Sequence, residues 1–137
     1  MNARDRSPDE PRLSVPPHSV EAEQSILGAL LFDNDALDRI TDLRAEHFYR
    51  FDHRTIFECI TKMVVSNRSA DVITAHEWLV AAGKAEATGG MAYLNSLASN
   101  APGSAGIRRW AEIVINRAKL RRLIAAADEI SAMAFHP

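Results

Sequence analysis

The one Gly-Lys pair of the chain, Gly83-Lys84, is the natural place to look for nucleotide chemistry. A phosphate-binding P-loop needs a glycine, four further residues and then Gly-Lys followed by serine or threonine, because its backbone amides and its lysine surround the phosphates. Here the pair is followed by Ala85 and has no glycine five positions before it. The sequence therefore predicts that this chain does not bind ATP in that way.

Histidine and cysteine are the other residues that could carry chemistry. His76-Glu77 begins like a zinc-binding helix, but Val80 stands where the second histidine would have to be. We therefore expect the five histidines to lie at the surface or to cap helices. The single Cys59 has no evident basic partner, which favours a buried, inert thiol over a nucleophile. The sequence predicts no catalytic, metal-binding or cofactor-binding residue and no enzymatic activity in this chain.

Length and composition are those of one ordinary globular domain. The chain has 137 residues, and its 16 basic and 18 acidic side chains give a net charge of −2. This balance argues against nucleic acid as the main ligand, since tight phosphate binding usually needs a basic excess. A single cysteine fits a reducing compartment, and neither a membrane-length apolar run nor a signal peptide is present. We expect a cytoplasmic protein that does not contact membranes.

The elements that must position these residues are predicted to be helices throughout. From Ser19 onward apolar residues recur at helical spacing, and no alternating strand pattern appears. The predicted fold class is all-α, with a compact head of about five short helices and one long C-terminal helix. We expect a proline-rich, disordered tail over residues 1–18, the globular head over residues 19–100 and the long helix over residues 104–135.

Several helix boundaries have a local signal. Ser19 can cap the first helix, and Asp52 is the expected cap of the third. Thr74 and Glu77 fit a capping box that would begin the fourth helix at Thr74, and Gly83 supplies the left-handed residue that ends it.

The long helix has a predicted apolar stripe that exceeds what a domain of this size needs. Thirty-two residues would extend roughly 48 Å. The stripe is formed by Ile107, Trp110, Ala111, Val114, Ala118, Leu123, Ile124, Ala127 and Ile130. We expect the helix to bury this stripe against a partner. The same helix also has six basic residues, interpreted either as a solvated face or as a contact for single-stranded DNA or an acidic protein: Arg108, Arg109, Arg117, Lys119, Arg121 and Arg122.

Several stretches, in order along the chain, resemble the N-terminal domain of the bacterial replicative DNA helicases of the DnaB type. These stretches are Pro16-Pro17-His18-Ser19 with the helix that follows to Leu31, Glu46-His47-Phe48-Tyr49, Asp52-His53-Arg54-Thr55-Ile56-Phe57, Asp71-Val72-Ile73-Thr74, Gly89-Gly90-Met91-Ala92-Tyr93-Leu94, and Ala111 to Ile124. Together they cover roughly residues 14–137. A helix-turn-helix DNA-binding module is disfavoured, because the chain is acidic overall and has no compact basic recognition helix.

The resemblance implies a role in assembly and recruitment. In the family, the parent protein is a hexameric, ATP-dependent DNA helicase, and ATP and Mg²⁺ belong to a separate C-terminal domain that this sequence lacks. The N-terminal domains pair through helical hairpins into a trimer of dimers, forming a collar that also docks the helicase-binding domain of primase. The long helix over residues 104–135 would be the first arm of that hairpin, with the second arm beyond Pro137. DNA would be bound only weakly or through the complete ring.

The resemblance and the apolar stripe together indicate two sets of interaction residues. The residues predicted for self-association are Ile107, Trp110, Val114, Leu123 and Ile124. The residues predicted for primase docking are Tyr93, Arg121, Arg122, Ile124 and Ile130. The alternative function is a helical module that guides single-stranded DNA along the basic face.

Overall fold

The computed structural model describes residues 14–137, and within this range every regular element is a helix. Five α-helices and two 3₁₀ helices follow one another along the chain. The α-helices are α1 (Val20–Phe32), α2 (Phe51–Val65), α3 (Val72–Ala81), α4 (Gly90–Asn100) and α5 (Ile107–Phe135), and the 3₁₀ helices span Asn34–Arg39 and Ala45–His47. The predicted all-α class with a long last helix is confirmed.

The predicted tail falls largely outside the described residues, which begin at position 14. Its last part, residues 14–18, forms an irregular segment with a bend at Pro17 that leads to α1, and we call it the N-terminal strap. Pro17 and His18 in this strap are half-buried, so the folded domain begins a few residues before the first helix.

The predicted N-terminal caps of the first helix (α1) and of the fourth predicted helix (observed as α3) had different outcomes. Ser19 caps α1 as predicted, and its hydroxyl accepts a hydrogen bond from the Ala22 amide at 3.2 Å. The capping box at Thr74 was wrong, because α3 begins at Val72 and Asp71 is its cap. The Asp71 carboxylate accepts from the Thr74 amide at 2.8 Å, while the Asp71 amide donates to the Thr74 hydroxyl at 2.9 Å. Thr74 is therefore the third residue of the helix, the position that reaches back to the cap.

Of the two remaining boundary predictions, Asp52 as a cap and Gly83 as a helix end, one was wrong and one agrees with the structure. Asp52 lies inside the first turn of α2, and Arg50 occupies the cap position, so the prediction of Asp52 as the cap was wrong. The Asp52 carboxylate instead accepts two hydrogen bonds from the Arg50 guanidinium. Gly83 does follow the end of α3 with a φ of +70°, a conformation that glycine adopts at little cost.

The core of the head includes the first half of α5 as well as the four shorter helices. Its side chains have at most a few per cent of their surface exposed. The largest fully buried apolar members are Ile26, Leu27, Leu30, Ile40, Phe48, Ile56, Ile60, Leu79, Leu94 and Ile107. Each helix is amphipathic or short, so burial of these apolar faces against one another is the main stabilisation of the fold.

Helices α1 and α4 approach very closely, and Gly28 makes this approach possible. A Cβ atom at Gly28 would overlap the backbone carbonyl oxygen of Leu97 and lie 2.8 Å from the Cβ of Ala101. Only the absence of a side chain lets the two backbones approach at this point. Helix α1 also packs against α5, so it lies at the centre of the head.

Over residues 14–137, each helix is too short or too polar to span a lipid bilayer.

Candidate protein-interaction surface

The second half of α5 leaves the head and lies in solvent. From Arg122 to Pro137 every residue is exposed, although the helix continues to Phe135. Fourteen helical residues, from position 122 to 135, correspond to roughly 21 Å. We call this part the free arm. Its large apolar side chains are substantially exposed: Leu123 at 66%, Ile124 at 47%, Ile130 at 68%, Met133 at 64% and Phe135 at 81%.

The apolar face of the free arm is not a continuation of the face that packs on the head. Ile107, Ala111, Val114 and Ala118 are buried against the head at spacings of three and four residues. Leu123 lies nine residues after Val114, which is about two and a half turns and places it on the opposite side of the helix. The predicted single stripe is therefore wrong: α5 has two apolar faces, one facing the head and one directed away from it.

A buried network of polar side chains lies where α1, α2 and α4 meet. Glu23 and His53 are 1% and 0% exposed. The His53 Nδ1 is 2.8 Å from the Glu23 Oε1, and its Nε2 is 2.6 Å from the Tyr93 hydroxyl. The Tyr93 oxygen accepts a further hydrogen bond from the Gln24 side chain at 3.2 Å. These partners assign the imidazole proton to Nδ1, since a carboxylate accepts and a hydroxyl can donate to Nε2.

Glu23 also holds the backbone that leads into α2. Its carboxylate accepts from the Tyr49 amide at 2.8 Å and from the Arg50 amide at 3.4 Å. In the described residues no buried side-chain nitrogen or oxygen is left without a hydrogen-bond partner, so this network is complete. The sequence did not predict this network, and the expectation that His53 lies at the surface or caps a helix was wrong. The available signal was a glutamate between Ala22 and Ile26 on the apolar side of α1.

Arg121 is the last residue of α5 before the free arm whose side chain hydrogen-bonds to the rest of the domain. Its guanidinium donates to the Pro17 carbonyl at 2.7 Å and to the His47 carbonyl at 2.8 Å. It also lies over the Tyr49 ring, with its Cζ 5.3 Å from the ring centroid. Burial lowers the pKa of the Arg121 guanidinium. Arg121 therefore connects α5, the N-terminal strap and the loop before α2.

The comparison with known families agrees with this architecture. Residues 15–116 match the model of the family described as the DnaB-like helicase N-terminal domain. This match covers α1 to α4 and the first ten residues of α5. The chain belongs to this family.

The curated relatives of this DnaB-like N-terminal domain are longer proteins. The replicative DNA helicase DnaB of Haemophilus influenzae is 36% identical over 127 residues, a region that covers 92% of this chain and 27% of the relative. The chain thus spans about a quarter of the length of that relative.

Solved structures share the fold. The crystal structure of the N-terminal domain of the DnaB helicase from Mycobacterium tuberculosis superimposes with a TM-score of 0.87 at 32% identity, covering 90% of each chain. The structure of a DnaB-like replicative helicase and its interactions with primase has a TM-score of 0.73 at 22% identity. The alignment covers 87% of this chain and 28% of that one, and it supports the fold alone.

The structure separates the residues predicted for self-association into two groups. Ile107 and Val114 are 0% and 1% exposed because they belong to the core of the DnaB-like head, and this burial removes them from the predicted set. Trp110 is half-buried and packs against the same core. Leu123 and Ile124 lie on the free arm, where an apolar partner can reach both.

The residues predicted for primase docking also fall into two groups, those already bonded within the domain and those exposed on the free arm. The Tyr93 hydroxyl is engaged by His53 and Gln24, and Arg121 is bonded to two backbone carbonyls instead of being exposed as predicted. The remaining three, Arg122, Ile124 and Ile130, lie exposed on the free arm.

The basic residues of α5 do not act as one set. Arg108 pairs with the Asp42 carboxylate and lies 3.3 Å from Glu112, and the Arg108 hydrogen bond lowers the pKa of Asp42 to about 2. Arg121 faces the strap and the loop before α2. This distribution favours a solvated face with local ion pairs over a continuous groove for single-stranded DNA.

Cys59 is buried between α2 and α3, and burial raises the pKa of its thiol to about 11. At pH 8 such a thiol is about 0.1% ionised, whereas an unperturbed cysteine is about one quarter ionised. We therefore expect iodoacetamide to alkylate Cys59 at least about 100-fold more slowly in the folded chain than in urea, because the thiolate is the nucleophile. The rates can be followed by mass spectrometry. Equal rates in the two conditions would contradict the buried position.

Proposed function

We propose that this chain is the collar domain of a replicative helicase, and that it assembles subunits and recruits primase. The observation that carries the proposal is the free arm, a helix with exposed apolar side chains beyond the limits of its own head. Apolar surface of this extent on a helix that residues 14–137 leave uncovered is typical of an interaction site. Family membership supplies the context of DNA replication.

Self-association uses the side of the free arm that faces away from the buried half of α5. Leu123, Ala127, Ile130 and Ala134 follow one another at spacings of four, three and four residues, which aligns them on one face. A helix from a second copy can pack there without touching the head of the first. Since the same face is presented by both copies, the contact is isologous and closes as a dimer. In the complete ring, three such dimers form the hexamer.

Primase docking uses exposed residues of the same arm, from Arg122 at its base to Ile130. Ile130 and Ile124 provide apolar contacts, and Arg122 provides a charge at the edge of the apolar face. ATP and Mg²⁺ act in the motor domain of the complete helicase, so the contribution of this chain is structural. A titration with the C-terminal domain of a primase tests this part. The expected result is saturable binding that is lost in Ile124→Glu, since Ile124 is exposed and lies about 100° around the helix from Leu123, off the face assigned to self-association.

Replacing Leu123 by glutamate is expected to weaken dimerisation about 100-fold. Placing a charge in an apolar interface costs about 2–3 kcal/mol, and each 1.4 kcal/mol is a factor of about ten in affinity. Sedimentation equilibrium over a range of concentrations measures the dimer dissociation constant. The matched control is Ala132→Glu, which adds the same charge on the opposite side of the same helix.

Two outcomes would overturn the proposal for self-association. If the wild-type chain stays monomeric at high concentration, this domain has no assembly contact. If Leu123→Glu and Ala132→Glu change the dimer dissociation constant equally, no specific face of the arm is involved. The alternative function makes a different prediction. Binding to single-stranded DNA with an affinity that falls steeply with salt would favour a DNA-guiding module.

A further inference from the structure

The geometry points to Arg121 as the positioning residue that sets the direction of the free arm. Its single guanidinium connects α5 to both the N-terminal strap and the loop before α2. This inference deepens the proposed function, since its biological meaning rests on the arm being an assembly surface. The underlying claim is intramolecular and concerns only residues of this chain.

The position of Arg121 in α5 is the first observation. Ala118 is the last residue of the helix that is buried in the head, and every residue from Arg122 onward is exposed. Arg121 lies between these two regions and is one helical turn beyond Ala118. It therefore extends the anchored part of α5 by one turn at the point where the arm leaves the head.

The two acceptors of Arg121 come from segments distant in sequence, and this is the second observation. The Pro17 carbonyl belongs to the N-terminal strap and the His47 carbonyl to the end of a 3₁₀ helix. Both oxygens are bonded by the same planar group, Nη1 to one and Nη2 to the other. A guanidinium can do this because its donors lie in a fixed fork, and a lysine ammonium lacks that geometry.

The groups around the Arg121 guanidinium are themselves connected to the core, and this is the third observation. Tyr49, whose ring lies under the guanidinium, is held through its amide by the buried Glu23 carboxylate. On the same ring stacks His18 of the strap, with the ring centroids 4.2 Å apart. The His18 Nδ1 is also 2.7 Å from the Pro16 carbonyl oxygen. Because Tyr49 is bonded to the core through Glu23 and His18 of the strap stacks on Tyr49, the contacts of Arg121 connect α5 to the head at this point.

The experiment measures the direction of the arm by electron–electron distances between spin labels at Asn95 on the head and Ala132 on the arm. Both sites are exposed. Cys59 is replaced by alanine so that only the introduced cysteines react. Every sample also contains Leu123→Glu, which charges the apolar face, so that the distance is measured without assembly. Failure of the proposed function therefore leaves this measurement unaffected.

Arg121→Gln is expected to broaden the distance distribution at least about two-fold, because the last anchor of the arm is lost while the core is untouched. Arg121→Lys is expected to broaden it to a similar degree, since it keeps the charge but lacks the fork. Arg122→Gln, the neighbouring exposed arginine, is the control and should keep the narrow distribution. The melting temperature of the head should be the same in all variants to within a few degrees.

Two results would overturn the inference. An unchanged distribution in Arg121→Gln would show that burial up to Ala118 is sufficient to direct the arm. A narrow distribution in Arg121→Lys would show that charge alone is responsible, so that the two-carbonyl fork has no role.

Discussion

Gly28→Ala is expected to destabilise the domain by about 3 kcal/mol, near the top of the usual range for overpacked cores. Gly28 lies inside α1, where replacing glycine by alanine ordinarily stabilises a helix by about 1 kcal/mol. Here the added Cβ would overlap the Leu97 carbonyl oxygen and press against Ala101, both on the neighbouring α4 segment. Backbone atoms of a packed helix cannot rotate out of the way, so α1 and α4 must separate.

Urea denaturation followed by circular dichroism measures this change in the free energy of unfolding. The matched control is Gly83→Ala, at a glycine with open space around it and a φ of +70°. Its cost is the backbone strain of about 1 kcal/mol that a left-handed alanine incurs. A neutral or stabilising effect of Gly28→Ala would contradict the close α1–α4 approach.

Glu23→Ala is expected to cost about 3–5 kcal/mol, because it leaves two buried or half-buried donors without an acceptor and each such loss costs about 1–3 kcal/mol. The substitution leaves the His53 Nδ1 and the Tyr49 amide without their acceptor in a site from which water is excluded. Buried donors that lose their partners carry the full cost of desolvation. The loop before α2 loses its attachment to α1 at the same time.

Urea denaturation of three variants checks this expectation. Glu21→Ala is the matched control, because Glu21 lies in the same first turn of α1 but is exposed, and its loss should change stability by less than about 0.5 kcal/mol. Glu23→Gln keeps the size and one acceptor oxygen and should fall between the other two, which gives a measurable variant even if Glu23→Ala does not fold. Equal stability of Glu21→Ala and Glu23→Ala would exclude the network as a structural element.

Much of the fold could be predicted from the sequence because its signals are local. The helical periodicity after Ser19, the hydroxyl cap at Ser19 and the left-handed Gly83 each depend on residues within one or two turns of each other. The family resemblance likewise depends on the order of short stretches along the chain. Competing local signals caused the errors at the cap of α3, where Asp71 and Thr74 can both accept hydrogen bonds from a first turn.

The candidate interaction site was predicted only in part, because exposure is not encoded by residue type. Ile107 and Leu123 are both apolar residues on one helix, but the head covers the first and leaves the second in solvent. Arg121 and Arg122 are adjacent arginines, and only the first meets two carbonyl oxygens. Which of two similar residues is available to a partner depends on what the rest of the chain packs against it.

The sequence by itself determined the all-helical class, the positions of most helices, the long last helix and the family. Tertiary structure alone decided the sign of the effect expected at Gly28, the burial of Glu23 with His53, the second face of α5 and the attachment of Arg121. The physical reason is the separation of the partners along the chain: His53 meets Glu23 across 30 residues, and Arg121 meets Pro17 across 104. Such pairs form when helices pack, and no pattern within a single helix specifies them.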